Sequence, residues 1–272
     1  MLANNNEAII NKLAKNSVKT NKKQYAILFF TIILSAFMLF CVFTIGMTYL
    51  NSSRLQNTRL NGAEYDITTM NGFTSKQVKS LQSNKNIQNV GMESYAGFIK
   101  SSEFDNTVEI GLLWCDETFW NNLMSPARTK LDGHYPQNKN ELMVTKDILK
   151  ACGNENLSVG DSIVLTYENN TGVHTDKFVI SGIWDGYGDK SAGFVSKNFY
   201  DETGYDLKNN GILCIKLNRN YVLPTTIQSL EKSLNFSDRQ IFAPTDYIEN
   251  SFKLLLGICG LALVICLSAY PV

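Results

Sequence analysis

"YAILFFTIILSAFMLFCVFTIGMTYL", Tyr25–Leu50, is 26 residues without a charge, 14 of them Ile, Leu, Val or Phe. At ~1.5 Å rise per residue it makes ~39 Å of helix, enough to cross a bilayer with tilt. Each of those 14 residues favours insertion by roughly 0.3–0.6 kcal/mol, so the segment belongs in lipid. A cleaved signal peptide would have an apolar region of about 7–15 residues ending in small residues. Here the run is longer and ends in "TYL" before "NSSRL", which favours a retained span.

The flanks set the orientation. Lys12, Lys15, Lys19, Lys22 and Lys23 against Glu7 give residues 1–23 a charge of +4, residues 51–250 carry −5, and Lys253 adds +1, so zero net charge is a balance of opposites. Basic flanks are retained in the cytoplasm, which puts residues 1–24 inside and 51–250 outside. Ile9, Ile10, Leu13 and Val18 alternate with lysines as in an amphipathic helix lying on the inner leaflet. A second apolar run, "LLLGICGLALVICLSAYPV" at 254–272, returns the chain, so residues 251–272 form the second span. Within it Gly257, Gly260 and Ala262 are candidates for close packing against another helix, because small residues let helices approach in lipid.

The outer stretch has the turns and charge density of a folded domain. "AEYDITTM" reads as a strand, "TSKQVKSLQSNK" as a helix with Thr74 and Gln77 forming a capping box, and "IQNVGMESYAGFI" as a second strand. "GILCIKL", "LPTTIQSLEKSL" with Pro224 in its first turn, and "RQIFAP" repeat that order. Between them "TVEIGLLWC", "NELMVT", "SIVLTY" and "DKFVISGIW" read as strands, and "DETFWNNL" as a short helix. The expected fold is therefore an α+β outer domain, two β-α-β porter-like units flanking a β-rich lobe, between two transmembrane helices.

Little points to chemistry. His134 and His174 have no second ligand at zinc spacing, and there is no C-x-x-C or G-x-S-x-G. "GYGDKSAG" at 186–193 puts Asp189 where a phosphate loop needs Gly before its Lys, and reads as a turn. Cys41, Cys259 and Cys266 lie in the spans. Cys115, Cys152 and Cys214 lie outside, leaving room for one disulfide and one free thiol, and their spacing selects no pair.

"LDGHYPQNKNELMVTKDILKACGNENLSVGDSIVLTY", 131–167, with "FVISGIWD" and "GFVSKNFYDE" after it, resembles the extracytoplasmic domain of FtsX-like and MacB-like ABC transporter permeases. Gly133, Pro136, Glu141, Gly160, Asp161 and Gly182 are the positions that carry the resemblance, as structural residues. It implies a membrane permease subunit without an enzyme activity or cofactor of its own, with ATP bound by a cytoplasmic ABC ATPase partner. It implies further spans or a second permease as partners besides lipid, and no nucleic acid. Family members export or remove peptides, antimicrobial compounds or lipids, or control wall hydrolases, by transmitting ATP-driven motion to the outer domain. Two spans are fewer than the family's four or more, so the chain is expected to be the amino-terminal part of a longer permease. Span, outer domain and span also suit an extracytoplasmic sensor module of a signalling receptor, although the 131–167 pattern has no reason to occur there.

Overall fold

A computed structural model describes residues 7–100, 110–187, 192–218 and 224–268. The chain opens with α1 (Glu7–Thr20), α2 (Lys22–Asn61), β1 (Ile67–Met70), α3 (Ser75–Gln82), β2 (Ile87–Lys100) and β3 (Ile110–Cys115). A π-helical turn at Phe119–Leu123 precedes β4 (Arg128–Gly133), β5 (Glu141–Val144), α4 (Lys146–Ala151), β6 (Ser162–Asn169) and β7 (Gly172–Gly186). Then come β8 (Gly193–Val195), α5 (Lys197–Tyr200), α6 (Leu207–Asn210), β9 (Ile212–Leu217), α7 (Pro224–Leu234), β10 (Ile241–Pro244) and α8 (Asp246–Ser268). Two compact units result, Met1–Asn51 with Lys253–Val272, and Ser52–Phe252.

In the first unit, α2 and α8 are long and apolar enough to cross a membrane. Both exceed the expected spans of 25–50 and 251–272. Hydropathy marks the thickness of lipid, not the end of a helix, and "NSSRLQNTRLN" carries Leu, Arg and Gln, which favour helix without favouring lipid. α2 therefore runs on to Asn61, where Gly62 at φ 74° ends it. At the other end α8 begins at Asp246, five residues before the expected start. The expected amphipathic segment is α1, whose Ile9, Ile10, Leu13 and Val18 are exposed.

The second unit contains all ten described strands in one sheet. One part has strand order β10-β1-β9-β2, every pair antiparallel. The two expected β-α-β units are thus interleaved: β9 lies between β1 and β2, and β1 between β9 and β10, the split β-α-β arrangement. α3 and α7 cover it, with Leu81, Leu230 and Leu234 buried against Ile67, Val90, Leu213 and Ile215. The capping box is present, Gln77 N–H donating to Thr74 Oγ1 at 3.3 Å and Thr74 N–H to Gln77 Oε1 at 2.8 Å.

The β-rich lobe is inserted between β2 and β9. Its pairings form a closed circuit, β2-β3-β8-β5-β7-β6 and back to β2. β2 serves both lobes because its register shifts between Tyr95 and Gly97: residues 87–93 pair with β9, residues 98–100 with β6. Inside the ring, Ile99, Leu112, Leu142, Val144, Ile163, Leu165, Phe178 and Ile180 form one buried cluster with Ile148 and Leu149 of α4 and Phe199 and Tyr200 of α5. β4 lies on the same edge of β7 as β6, opposite β5. "DETFWNNL", expected as a short helix, is the π-helical turn. The first residues of "TVEIGLLWC", and 188–191 of the expected turn at 186–193, lie outside the described residues.

Candidate functional site

Five of the six motif residues, all but Pro136, meet at one stretch of β7, residues 179–182. Gly133, at φ 85°, ends β4 directly opposite Gly182. His134 N–H then donates to Ser181 O at 2.9 Å. Pro136 is buried in the following loop. Glu141 closes that loop, its Oε2 accepting from Gln137 N–H at 2.7 Å and Asn138 N–H at 3.1 Å. Desolvation pushes the Glu141 carboxyl up, but these donors outweigh it and hold the group below the usual carboxylate range. Gly160, at φ 94°, donates its N–H to Ile180 O at 2.8 Å, and Asp161 O accepts from Ile180 N–H at 2.9 Å. Asp161 Oδ2 in turn accepts from Ser158 N–H at 2.8 Å. The chemistry available here is that of loop closure: main-chain donors and acceptors of β7 are met by two turns from opposite directions.

A different cluster lies within the outer unit, around the last turns of α2 and the first turn of α8. Glu64, between α2 and β1, faces Arg54 Nη1 at 3.7 Å through Oε1 and pairs with Lys216 of β9 through Oε2. Its N–H donates to Leu123 O at 2.7 Å. Asp66 ties three segments together: its N–H donates to Ile215 O at 2.9 Å, its O accepts from Thr245 N–H at 2.8 Å, and its Oδ2 accepts from Leu217 N–H at 2.7 Å. Burial lifts the Asp66 carboxyl to about 6, against the pull of the Leu217 N–H and the nearby Lys216. Tyr247, in the first turn of α8, packs into the same core as Ile248 and is pushed by burial to about 12. The Arg59 guanidinium near the end of α2 lies 4.1 Å over the Tyr187 ring, beyond β7. Beneath them Ala63, Cys115, Phe119, Trp120, Met143, Trp184, Phe194 and Cys214 form a buried cluster shared by both lobes.

None of Arg54, Glu64, Asp66 or Lys216 was marked by motif or spacing. The available signal was charge: Arg54 and Arg59 just past a 26-residue uncharged run, and Glu64 and Asp66 flanking a turn before the first strand.

The other expected positions are not gathered into a site. His134 Nδ1 lies 3.0 Å from Tyr135 O and His174 Nε2 lies 2.8 Å from Thr171 Oγ1, in separate turns. Cys115 and Cys214 flank β2, opposite Glu93 and Gly91. Two strand spacings, roughly 10 Å, separate them, beyond the ~4.4–6.8 Å Cα separation of a disulfide. Both are buried, and burial raises both thiols well above their ordinary value. In the membrane-grade unit Ala262 is buried, with Ile258 and Ile265 on the same helix face, while Gly257 and Gly260 have open space around them. The small residue that admits Ile258 is Gly46 of α2, where a Cβ would fall 2.4 Å from Ile258 Cδ1. The close approach between α2 and α8 is therefore at Gly46 and Ile258.

No family model matches the sequence, and no curated protein matches it. Among solved structures, the chain is similar to the periplasmic region of MacB from Actinobacillus actinomycetemcomitans. That likeness has 13% identity and a TM-score of 0.45 and covers 71% of this chain and 95% of the other. It is also similar to the extracellular domain of the noncanonic ABC-type transporter YknZ from Gram-positive bacteria, with 11% identity, a TM-score of 0.43, and 66% and 98% coverage. Both are likenesses in fold, and the interleaved sheet and closed ring described above stand on their own pairings.

Proposed function

We infer that the chain is a membrane-spanning permease component of an ABC-type transporter, FtsX-like or MacB-like, whose outer domain is moved when a cytoplasmic partner ATPase displaces its membrane helices. The observation that carries this reading is the seating of the helix ends. α2 is a single helix of 40 residues, and its final turns belong to the outer unit, held by Arg54–Glu64–Lys216 on one side and Arg59–Tyr187 on the other. The first turn of α8 is buried in the core of the split lobe through Tyr247 and Ile248. A helix so anchored passes a displacement on through charge pairs and packed side chains, whereas a flexible linker would absorb it. Peptides, antimicrobial compounds or lipids are the cargo classes that the sequence resemblance suggests for export or removal.

Purification of the full-length gene product from its own membranes tests this. An ABC ATPase is expected to co-purify, and MgATP is expected to change the fluorescence of a dye on Cys152. Arg54→Ala with Glu64→Ala should weaken that change while ATP hydrolysis persists. Full activity of a nucleotide-free preparation with no ATPase present would overturn the reading.

A further inference from the structure

A concavity of the outer unit lies away from the motif residues, at the end of the split lobe opposite Asp66. It has a volume of about 690 Å³, between the first turn of α3, α6, the end of α7 and the loop leading into β10. Its floor is locked. Gln77 Nε2 donates to Leu234 O at 3.1 Å, Gln240 Nε2 donates to Gly72 O at 2.7 Å, and the two amides meet at 3.2 Å. Asn71, left-handed at φ 65°, donates through Nδ2 to Arg239 O at 2.9 Å. Four backbone segments are thus held around a preformed groove, so little ordering is left for a ligand to bring about.

The rim is cationic. Lys76, Lys208 and Arg239 are exposed around it and Asp238 is the single acid in the lining. None of the three cations takes part in an ion pair among the described residues, although Lys208 adds to the Asn209 side-chain donor in holding the Asp206 carboxyl low. Residues 51–250 carry −5 overall, so a concavity with a +2 lining reverses the local field. Clefts lined by one sign of charge concentrate ligands of the other.

The groove also adjoins the start of an edge strand. Gln240 lines it and the next residue, Ile241, begins β10, the end strand of the described sheet. Ile241 is 49% exposed and only the β1 side of β10 is paired among the described residues. Main-chain groups on such an edge accept an added strand, and side-chain pockets beside it select the sequence.

We propose that this groove and the free edge of β10 dock an extended acidic peptide segment of a partner protein, its main chain along β10 and its carboxylates against Lys76, Lys208 and Arg239. The reading does not depend on the transport function. The test uses the full chain in nanodiscs of zwitterionic lipid and a fluorescein-labelled peptide of alternating Glu and Val, followed by anisotropy. Binding is expected, weakening at least tenfold between 50 and 300 mM NaCl and at least tenfold in the Lys76→Gln, Arg239→Gln double variant, whose tryptophan emission should match the parent's. An alternating Lys and Val peptide should not bind. The same acidic peptide with alternate backbone nitrogens methylated should lose at least tenfold, because it keeps its charge but cannot pair with an edge. Equal binding of the methylated peptide, or equally tight displacement by tripolyphosphate, would overturn the proposal, the first by removing the edge and the second by reducing the groove to a general anion patch.

Discussion

Gly133 and Gly182 stand opposite each other across the β4–β7 ladder, and neither has room for a side chain. A Cβ on Gly133 would fall 2.2 Å from Ser181 O, and one on Gly182 would fall 2.7 Å from Met143 Cε and 2.9 Å from His134 O. The closeness lets the turn after β4 fold back and donate its His134 N–H to β7.

Gly133→Ala meets a backbone oxygen at 2.2 Å and a left-handed φ, so it is expected to cost more than Gly182→Ala, which meets the movable end of Met143 at 2.7 Å and a backbone oxygen only at 2.9 Å, at an ordinary φ. About 2–4 kcal/mol for the first and about 1–2 for the second is the scale of such strain. Urea unfolding of the full chain reads it, because Trp114, Trp120 and Trp184 all lie in the outer unit. Equal losses would show that backbone conformation at 133 is not the constraint.

Glu64 and Lys216 are each about one-sixth exposed, so removing one partner strands the other in a poorly solvated place. Lys216→Met and Glu64→Gln are each expected to destabilise the outer unit by about 1–3 kcal/mol, below the cost of breaking a fully buried pair. The double variant should recover part of the sum, since neither charge is then left alone. Simple additivity in the same urea assay would mean that the pair contributes nothing as a pair.

Much of the split lobe was legible in the sequence. The Thr74–Gln77 box, Pro224 at the start of α7 and the apolar face of Ile227, Leu230 and Leu234 are local patterns with local causes, and they fall where expected. What escaped reading is non-local. β4 has a nearly uniformly exposed sequence, RTKLDG, with no alternation to see, and β8 is only three residues long. The closure of the ring depends on a register shift in β2, and no spacing along the chain indicates that Phe98 will face Glu168. Gly133 and Gly160 can be read off the sequence as turn residues, and Gly182 as a glycine within a strand. Their physical reason, two turns binding one segment of β7, appears only once residues 133, 160 and 182 are brought together.

Asp66 gives the outer unit a predictable response to pH. Its carboxyl titrates at about 6 in the folded chain, against about 3.9 in an unfolded one. Between those values the folded state holds the proton more tightly, so the Asp66 contribution makes stability fall as pH rises from about 4 to about 6 and then stay level. Two pH units correspond to about 3 kcal/mol. Asp66→Asn cannot titrate and keeps an oxygen for the Leu217 N–H. It is expected to unfold at a higher temperature than the parent at pH 7.5, with the difference shrinking towards zero at pH 4.5. Comparing parent and variant cancels groups of opposite sign such as Glu141. A pH-independent difference would rule out titration of Asp66 as the source.

The outer thiols should separate by accessibility. Cys115 and Cys214 are about 2% and 1% exposed, whereas Cys152, at the end of α4, is partly exposed. Burial raises the first two thiols, keeping them protonated as well as hidden. A membrane-impermeant maleimide at pH 7.5 is expected to modify Cys152 at least tenfold faster than either, from the outer side of intact cells, with all three reacting after denaturation. Modification of Cys152 from the inner side alone would reverse the proposed topology.

In the membrane-grade unit, the close approach at Gly46 predicts an asymmetry among small residues. A leucine there must displace Ile258, whose Cδ1 and Cγ1 lie 2.4 and 2.8 Å from the Cβ position, while Gly257 and Gly260 have nothing within 4 Å. Association of helices in lipid rests largely on such packing, since apolar burial supplies little drive there. Gly46→Leu is therefore expected to lower the SDS concentration at which the pair comes apart, and Gly257→Leu to leave it unchanged. A reversed order would place the contact on the glycine face of α8 and remove Gly46 from it.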